Sequence, residues 1–410
     1  MDTGKKAALA ALAWSGFVAA GLVACGGGGG GGGGATTSAT GATTTAGDAP
    51  GTGGTAASQS AAADGGASTV LANCEMFPPQ AVFNTRIDDT ALFPTHANSA
   101  AWTSSIGSGT VFHADWWLGE DPSQSGAYYG MPVNAVDGTA ATTDWAALAY
   151  DFTPSGVASM SGWPWESDCA VSGGNGFTLT RGCSALPTEQ RRFPFPVTNL
   201  KNEGGTCNDP NSCGDHHVLV VEQGACRLWE AYSAYKLSGQ WYALSTAAWD
   251  MKSLALRPST WTSADAAGLP ITPFVAKAAE ASSGEIRHAL RVTLRDDVIA
   301  NSFVWPARHA AGSSAGSVPF GSVLRLRADF AIPDGWTTQA KAIATAAKRY
   351  GLYVADIGSD FYVQGEPSAQ WDENTFRNLR AITMGDMQFV DMGAVTRDPR
   401  FSADSMAARW

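Results

Sequence analysis

The sequence predicts a mainly β fold, an antiparallel β-sandwich of jelly-roll type with a few helices late in the chain. Three observations carry this. Apolar residues alternate with polar ones in short runs bounded by turn residues from about residue 108 onward. Only two segments keep a helical period. The charged fraction is 15%, well below the roughly 25% usual for soluble domains, and 14 of the 15 tryptophans lie beyond residue 69, the composition of a large apolar core.

The N-terminal segment stands apart from that core. Lys5 and Lys6 precede an apolar run, Ala7 to Ala24, that ends in Leu22-Val23-Ala24-Cys25. A basic start, an apolar stretch and small residues before a cysteine resemble a bacterial lipoprotein signal peptide. The resemblance implies that residues 1–24 are removed and that Cys25 carries the lipid. Gly26 to Gly34 are nine consecutive glycines, and Ser, Thr, Ala and Gly dominate as far as Ser68. Such a segment buries too little apolar surface to offset its ordering entropy, so residues 25–69 read as a tether. Residues 70–410 then form a single β-rich domain.

Within that domain the strands read in order. His217 to Val221 is β-branched and apolar, and Arg227 to Tyr235 alternates around Leu228, Glu230 and Tyr232. From His288 to Leu294, His288, Leu290, Val292 and Leu294 share one face, with Arg291 and Thr293 on the other. Val323 to Phe330 alternates likewise. Gly351–Ala355 and Phe361–Gln364 read as a late hairpin around Gly358-Ser359-Asp360. The helices are 338–350, with Thr337 as N-cap and Gly351 as the stop, and 372–381, starting at Asp372.

Apart from Cys25 there are six cysteines, an even number that reads in an exported protein as three disulfides. Short spacings favour Cys169–Cys183 and Cys207–Cys213 as loop clips, leaving Cys74 for Cys226. Residues 70–410 hold 24 basic and 34 acidic side chains, a net charge of −10 that argues against nucleic acid and against electrostatic docking on anionic lipid. Phosphate-loop, dinucleotide, nucleophile-elbow, zinc-protease and EF-hand motifs are absent, so no cofactor is expected. A metal held by His216, His217, His288 and His309 is disfavoured, because adjacent histidines on a strand point to opposite faces.

Several segments in order, Tyr129-Gly130-Met131-Pro132, Asp215-His216-His217-Val218-Leu219-Val220-Val221-Glu222, Leu228-Trp229-Glu230-Ala231-Tyr232, Trp261 to Ile271, Gly284 to Arg291, Trp305-Pro306-Ala307-Arg308-His309 and Tyr350 to Ser359, resemble a family of uncharacterised exported bacterial proteins. The resemblance spans most of 80–390. It implies one continuous unit and brings no activity with it.

Ionisable residues are scarce in this chain yet concentrate in segments that read as buried strand, where charge is costly unless paired or functional. The expected function is therefore action on polysaccharide at the bacterial cell envelope, with lipid on Cys25 as the membrane contact. As a glycoside hydrolase the protein would use Glu230 and Glu285 (or Asp265) as the carboxylate pair. His288 and His309 would orient substrate or base, and Trp229, Trp261, Trp305, Arg291, Arg308 and Asp356 would bind the sugar. As a polysaccharide lyase it would use His288 as base, with Arg291 or Arg308 neutralising a uronate. The alternatives are a carbohydrate-binding module without turnover, or a purely structural role in which Glu230 pairs with Arg291 or Arg327 to join two sheets.

Overall fold

Among the described residues the three larger β-sheets stack in layers, and the middle one buries apolar side chains on both faces. The computed structural model describes residues 69–157, 160–173, 176–312 and 316–410, all within one compact unit, Ala63–Trp410. Residues 1–68, including Cys25, lie outside the described residues. No described helix is long and apolar enough to cross a membrane.

The middle sheet runs Ser245–Asp250, Arg227–Tyr232, Val218–Gln223, Val133–Asp137. Val218, Val220, Trp229, Ala231 and Ala248 pack with Ala146, Leu148, Phe193 and Phe195 of an outer six-stranded sheet. Val221, Leu228, Ala247 and Trp249 join the core of a second six-stranded sheet built from the later chain. Burial on both faces explains why Val218 to Val221 is a continuous apolar run instead of an alternating one. Trp229 is fully buried, its Nε1 donating to Glu222 Oε2 at 2.9 Å. Truncating it to Ala would cost about 3–5 kcal/mol.

The late sheet runs Met387–Phe389, Val323–Leu326, Leu352–Ile357, Leu290–Leu294, Tyr362–Gln364, His113–Asp115. Mainly β holds, but the antiparallel jelly-roll order does not describe this chain, because each large sheet contains a parallel pair. Val133–Asp137 runs parallel to Val218–Gln223, Gln240–Tyr242 to Thr143–Ala149, and Leu290–Leu294 to Leu352–Ile357. The expected late hairpin is also corrected. Leu290–Leu294 lies between Leu352–Ile357 and Tyr362–Gln364 and pairs with both.

Among the described residues five α-helices accompany the sheets: α1 (Ser99–Ile106), α2 (Ala278–Ser283), α3 (Thr338–Arg349), α4 (Glu373–Leu379) and α5 (Gly393–Thr396). The two read from sequence carry the expected caps. Thr337 accepts from Ala340 N, and Asp372 from Asn374 N. Helices are not confined to the late chain, since α1 precedes the first long strand. α3 packs on Val323–Leu326 and against α2 and α4.

Three disulfides close as the spacings suggested: Cys74–Cys226, Cys169–Cys183 and Cys207–Cys213. They point to an oxidising compartment outside the cytoplasm. Cys74–Cys226 ties the start of the described chain to the turn between two middle-sheet strands.

Candidate functional site

Over the strands Leu290–Leu294, Tyr362–Gln364 and His113–Asp115 the late sheet has one apolar face and one polar face. Leu290, Val292, Leu294, Val363 and Ala114 belong to the core. Strand alternation sends Arg291 and Thr293, Gln364 and Tyr362, and Asp115 and His113 to the other side. Thr293 stands opposite Tyr362, and Tyr362 and Gln364 stand opposite His113 and Asp115. The side chains therefore form two cross-strand rows, Arg291-Gln364-Asp115 and Thr293-Tyr362-His113. In the second row the His113 and Tyr362 rings stack, centroids 3.8 Å apart.

Asp356 reaches this face through a bulge. Arg291 pairs with Tyr353 and Val292 with Val354, but Thr293 pairs with Asp356, so Ala355 is the extra residue. Without it Asp356 would follow Leu352 and Val354 to the apolar side. Instead, its Oδ2 lies 3.1 Å from Arg291 Nη2, and Asp265 Oδ2 lies 3.2 Å from the same nitrogen. The first contact is a hydrogen bond; the second is an ion pair without hydrogen-bond alignment. Arg291 Nε and Nη1 and Gln364 Oε1 are buried and have no hydrogen-bond partner among the described residues.

The middle sheet and its loops supply the facing wall. His217, just before Val218–Gln223, places Nδ1 2.7 Å from Glu203 Oε2 and Nε2 2.9 Å from the Ala264 carbonyl. Both neighbours are acceptors, so both nitrogens donate and the ring is an imidazolium. Tyr232, at the end of its strand, donates from Oη to Asp215 Oδ1 at 3.3 Å. Gly130, at φ +106°, lets the chain pass where a Cβ would meet the Gly365 carbonyl at 2.6 Å. That close approach sets Tyr129, 43% exposed, at the rim.

Protonation states diverge across this site. Burial lowers the His217 pKa, but the carboxylates of Glu203, Asp215 and Asp356 outweigh it and raise it to about 9. Burial lifts Glu203, but the His217 charge and hydrogen bonds prevail and hold it below the ordinary range. Asp115 is raised to about 6 by burial and by the Glu203 charge, against a hydrogen bond from Gln364 and the charge of Arg291. Burial raises Asp265 to about 8, with Arg291 opposing and Asp356 adding to the rise. Two carboxyls under each other's field, one that keeps its proton up to about pH 6 and one already ionised there, are what acid–base catalysis uses.

The sequence-predicted residues distribute unevenly. Arg291, Asp356 and Asp265 come together here. Glu230 is fully buried beneath them and accepts from Ile271 N (3.0 and 2.9 Å), Thr272 N (2.8 Å) and Thr272 Oγ1 (2.7 Å), holding the 3-10 turn Thr272–Phe274. Glu285 is not its partner. It sits exposed after α2, paired with Arg287 (2.7 Å) and Arg349 (3.9 Å), so the expected carboxylate pair does not form. His288 is buried between Ala289 O and Glu280 Oε2, at 2.7 and 3.0 Å, and His309 Nδ1 binds Ala266 O at 2.8 Å. Neither reaches the polar face through these bonds. Trp229 is core, not a sugar platform. Trp305 and Arg308 clamp the C-terminal segment: Trp305 Nε1 donates to Ser405 O (2.9 Å), and Arg308 to Arg257 O (2.7 Å), Ala403 O (2.5 Å) and Asp404 (2.6 Å). Trp261 is half-exposed with the Arg257 guanidinium 5.7 Å from its ring.

Sequence reasoning missed Asp115, Glu203 and Tyr129 as site residues. The three-residue runs His113-Ala114-Asp115 and Tyr362-Val363-Gln364 do alternate, but so briefly that they carry no signal alone. Among the described residues no cluster of His, Cys, Asp and Glu has an arrangement that would hold a metal ion.

Across the 202–217 segment lies a second feature, a cavity of about 710 Å³ lined by Phe195, Asn202, Asn208, His216, Lys236 and Trp241 among others. His216 faces it and His217 faces the charged site, opposite sides of one backbone. His216 Nδ1 donates to Ala234 O (2.7 Å), Nε2 meets Asn202 Nδ2 (2.8 Å), and burial lowers its pKa.

No protein-family model, curated protein or solved structure matches the chain. The functional reading therefore stands on the site itself.

Proposed function

We propose that the protein is a lipid-anchored cell-envelope enzyme that hydrolyses polysaccharide at the polar face of the late sheet. Asp115 is the general acid and Glu203 the carboxylate that stays ionised as base or nucleophile. The observation that carries this reading is the opposed state of the two carboxyls, Asp115 raised to about 6 and Glu203 held low by His217, on facing walls of one site. Arg291, fully buried on the floor, would hold Asp356 in place toward the sugar. Tyr129 and the stacked His113–Tyr362 pair would offer ring faces at the rim. The chemistry so written uses no cofactor.

The test is reducing-end release or product mass spectrometry on a glycan panel, comparing wild type with Asp115→Asn and Glu203→Gln. Loss of turnover in both supports the assignment; full turnover in both overturns it. Saturable glycan binding without any product would make the site a binding module. The anchor is tested separately, since Cys25→Ala should move the protein from the membrane to the soluble fraction.

A further inference from the structure

Among the described tryptophans all are buried or half-buried except the C-terminal Trp410 and the two of the turn Trp163-Pro164-Trp165. Trp163 is 38% exposed and Trp165 54% exposed, whereas Trp116, Trp229 and Trp249 are sealed in the core. Two indoles left in water on one turn form the kind of apolar patch that marks a binding surface.

The turn is held firmly. Trp163 N donates to Leu244 O at 2.7 Å, and its carbonyl accepts from Glu166 N (3.1 Å) and Ser167 Oγ (2.8 Å). Trp165 Nε1 donates to Glu166 Oε1 at 3.2 Å, and Glu166 Oε2 accepts from Thr262 N at 3.0 Å, so one carboxylate fixes both the indole and the neighbouring loop. Gly162 allows the turn to lie directly on Leu244, because a Cβ there would meet the Leu244 carbonyl at 2.3 Å. A Cβ on Gly182 would stand 3.4 Å from the Trp261 ring and 3.5 Å from Trp165 O, which places Trp261 beside the same patch.

The patch and the charged site lie at the same end of the middle sheet, where Ser245 stands opposite Tyr232 and Ala231 opposite Val218. Leu244, which carries Trp163, donates to Tyr232 O at 3.0 Å, and Tyr232 holds Asp215. Thr262, which binds Glu166, lies two residues before Ala264, whose carbonyl takes the His217 proton, and three before Asp265. We infer that Trp163, Trp165 and Trp261 form an extended subsite over which a polysaccharide chain lies as it leaves the charged site, so that the substrate is a polymer and not a mono- or disaccharide. This rests on the glycan reading above. A preorganised indole with a half-exposed carboxylate at its edge matches a sugar ring, which presents an apolar C–H face bordered by hydroxyls. A net charge of −10 over residues 70–410 disfavours an anionic membrane surface as the occupant.

The experiment uses the full chain and three proteins: wild type, Trp163→Ala/Trp165→Ala and Trp163→Phe/Trp165→Phe. Each is run in native affinity gels containing soluble xylan, β-glucan, pectin or chitosan, and in sedimentation with phosphatidylcholine vesicles. For a polymer that retards wild type, the double Ala variant should bind about tenfold more weakly or worse, and the Phe variant should recover most of the loss. Matched melting temperatures show that the fold is intact. Equal retardation of all three proteins, retardation of none by any polymer, or vesicle binding that the Ala variant abolishes would each overturn the inference. Polymer binding that depends on the tryptophans without any turnover would remove the acid–base reading and leave this one standing.

Discussion

Arg257 and Arg291 are both fully buried, and both bridge layers of the fold, yet they are built in opposite ways. Arg257 donates from Nε to Thr262 O (3.1 Å), from Nη1 to Asp168 and from Nη2 to Glu166 O, with Trp249 and Trp261 near its planar group at 5.6 and 5.7 Å. Asp168 also takes Arg181 and the Ala248 amide, so strands of two sheets are pinned to one carboxylate. Arg291 uses one nitrogen for two carboxylates and leaves Nε and Nη1 buried without partners. Burial lowers the Arg257 pKa to about 9. For Arg291 burial also pulls down, but Asp265 and Asp356 outweigh it and raise the pKa above its ordinary value. A buried arginine with all three nitrogens bonded holds a structure together. One whose charge is shared between two carboxyls of a charged site marks the floor of that site.

The sharpest way to break this comparison is to remove each guanidinium. Arg257→Met should cost about 3–5 kcal/mol, since it breaks a fully buried ion pair and leaves Asp168 with Arg181 as its remaining counter-charge. Arg291→Met should cost roughly 1–2 kcal/mol, because it gives up one hydrogen bond and its neighbour Asp265 already leans toward the neutral form. Chemical denaturation measures both. Equal losses would make Arg291 structural and remove the floor of the proposed site.

Next in size is the effect of Asp115→Asn, which should lower turnover at least about 100-fold while leaving glycan binding in place. The wild-type pH profile carries the same information. A general acid raised to about 6 is protonated below that value, and Glu203 is already ionised there, so kcat/KM should fall as pH rises through about 6. A profile flat from pH 5 to 8 would assign the acid to another residue.

Why only part of this was legible can be seen residue by residue. Arg291 declared itself because a charge alternating with Leu290, Val292 and Leu294 must face something polar. Glu230 looked catalytic for the same reason, but its partners are the amides of Ile271 and Thr272, about 40 residues onward, which no local pattern reveals. Asp356 owes its position to a one-residue bulge, Asp115 to a strand of three residues, and Glu203 to a loop. The fold shows the same division. The caps of α3 and α4 and the three cysteine pairs follow from spacing, whereas α1, rich in Ser and Thr, has no strong helical signature. The parallel pairings, which undo the sandwich, depend on contacts more than 50 residues apart along the chain.

The smallest expected effect distinguishes the two sides of one backbone. His216 and His217 are neighbours, one lowered by burial among backbone acceptors and Asn202, the other held as an imidazolium by Glu203. In Glu203→Gln the His217 pKa should fall from about 9 toward its ordinary value, 6.5, while His216, whose shift is dominated by burial, should move far less; imidazole resonances followed by NMR read this directly. The stability consequence has a definite sign. A histidine raised above its unfolded value contributes stability that is complete below about pH 6.5 and lost as pH rises through about 9. Wild type should therefore show a denaturation midpoint that declines between those limits, and Glu203→Gln a flatter one. If the variant keeps both the high His217 pKa and the decline, some other carboxylate, Asp215 or Asp356, holds the proton there, and Glu203 is not the ionised wall against which Asp115 was set.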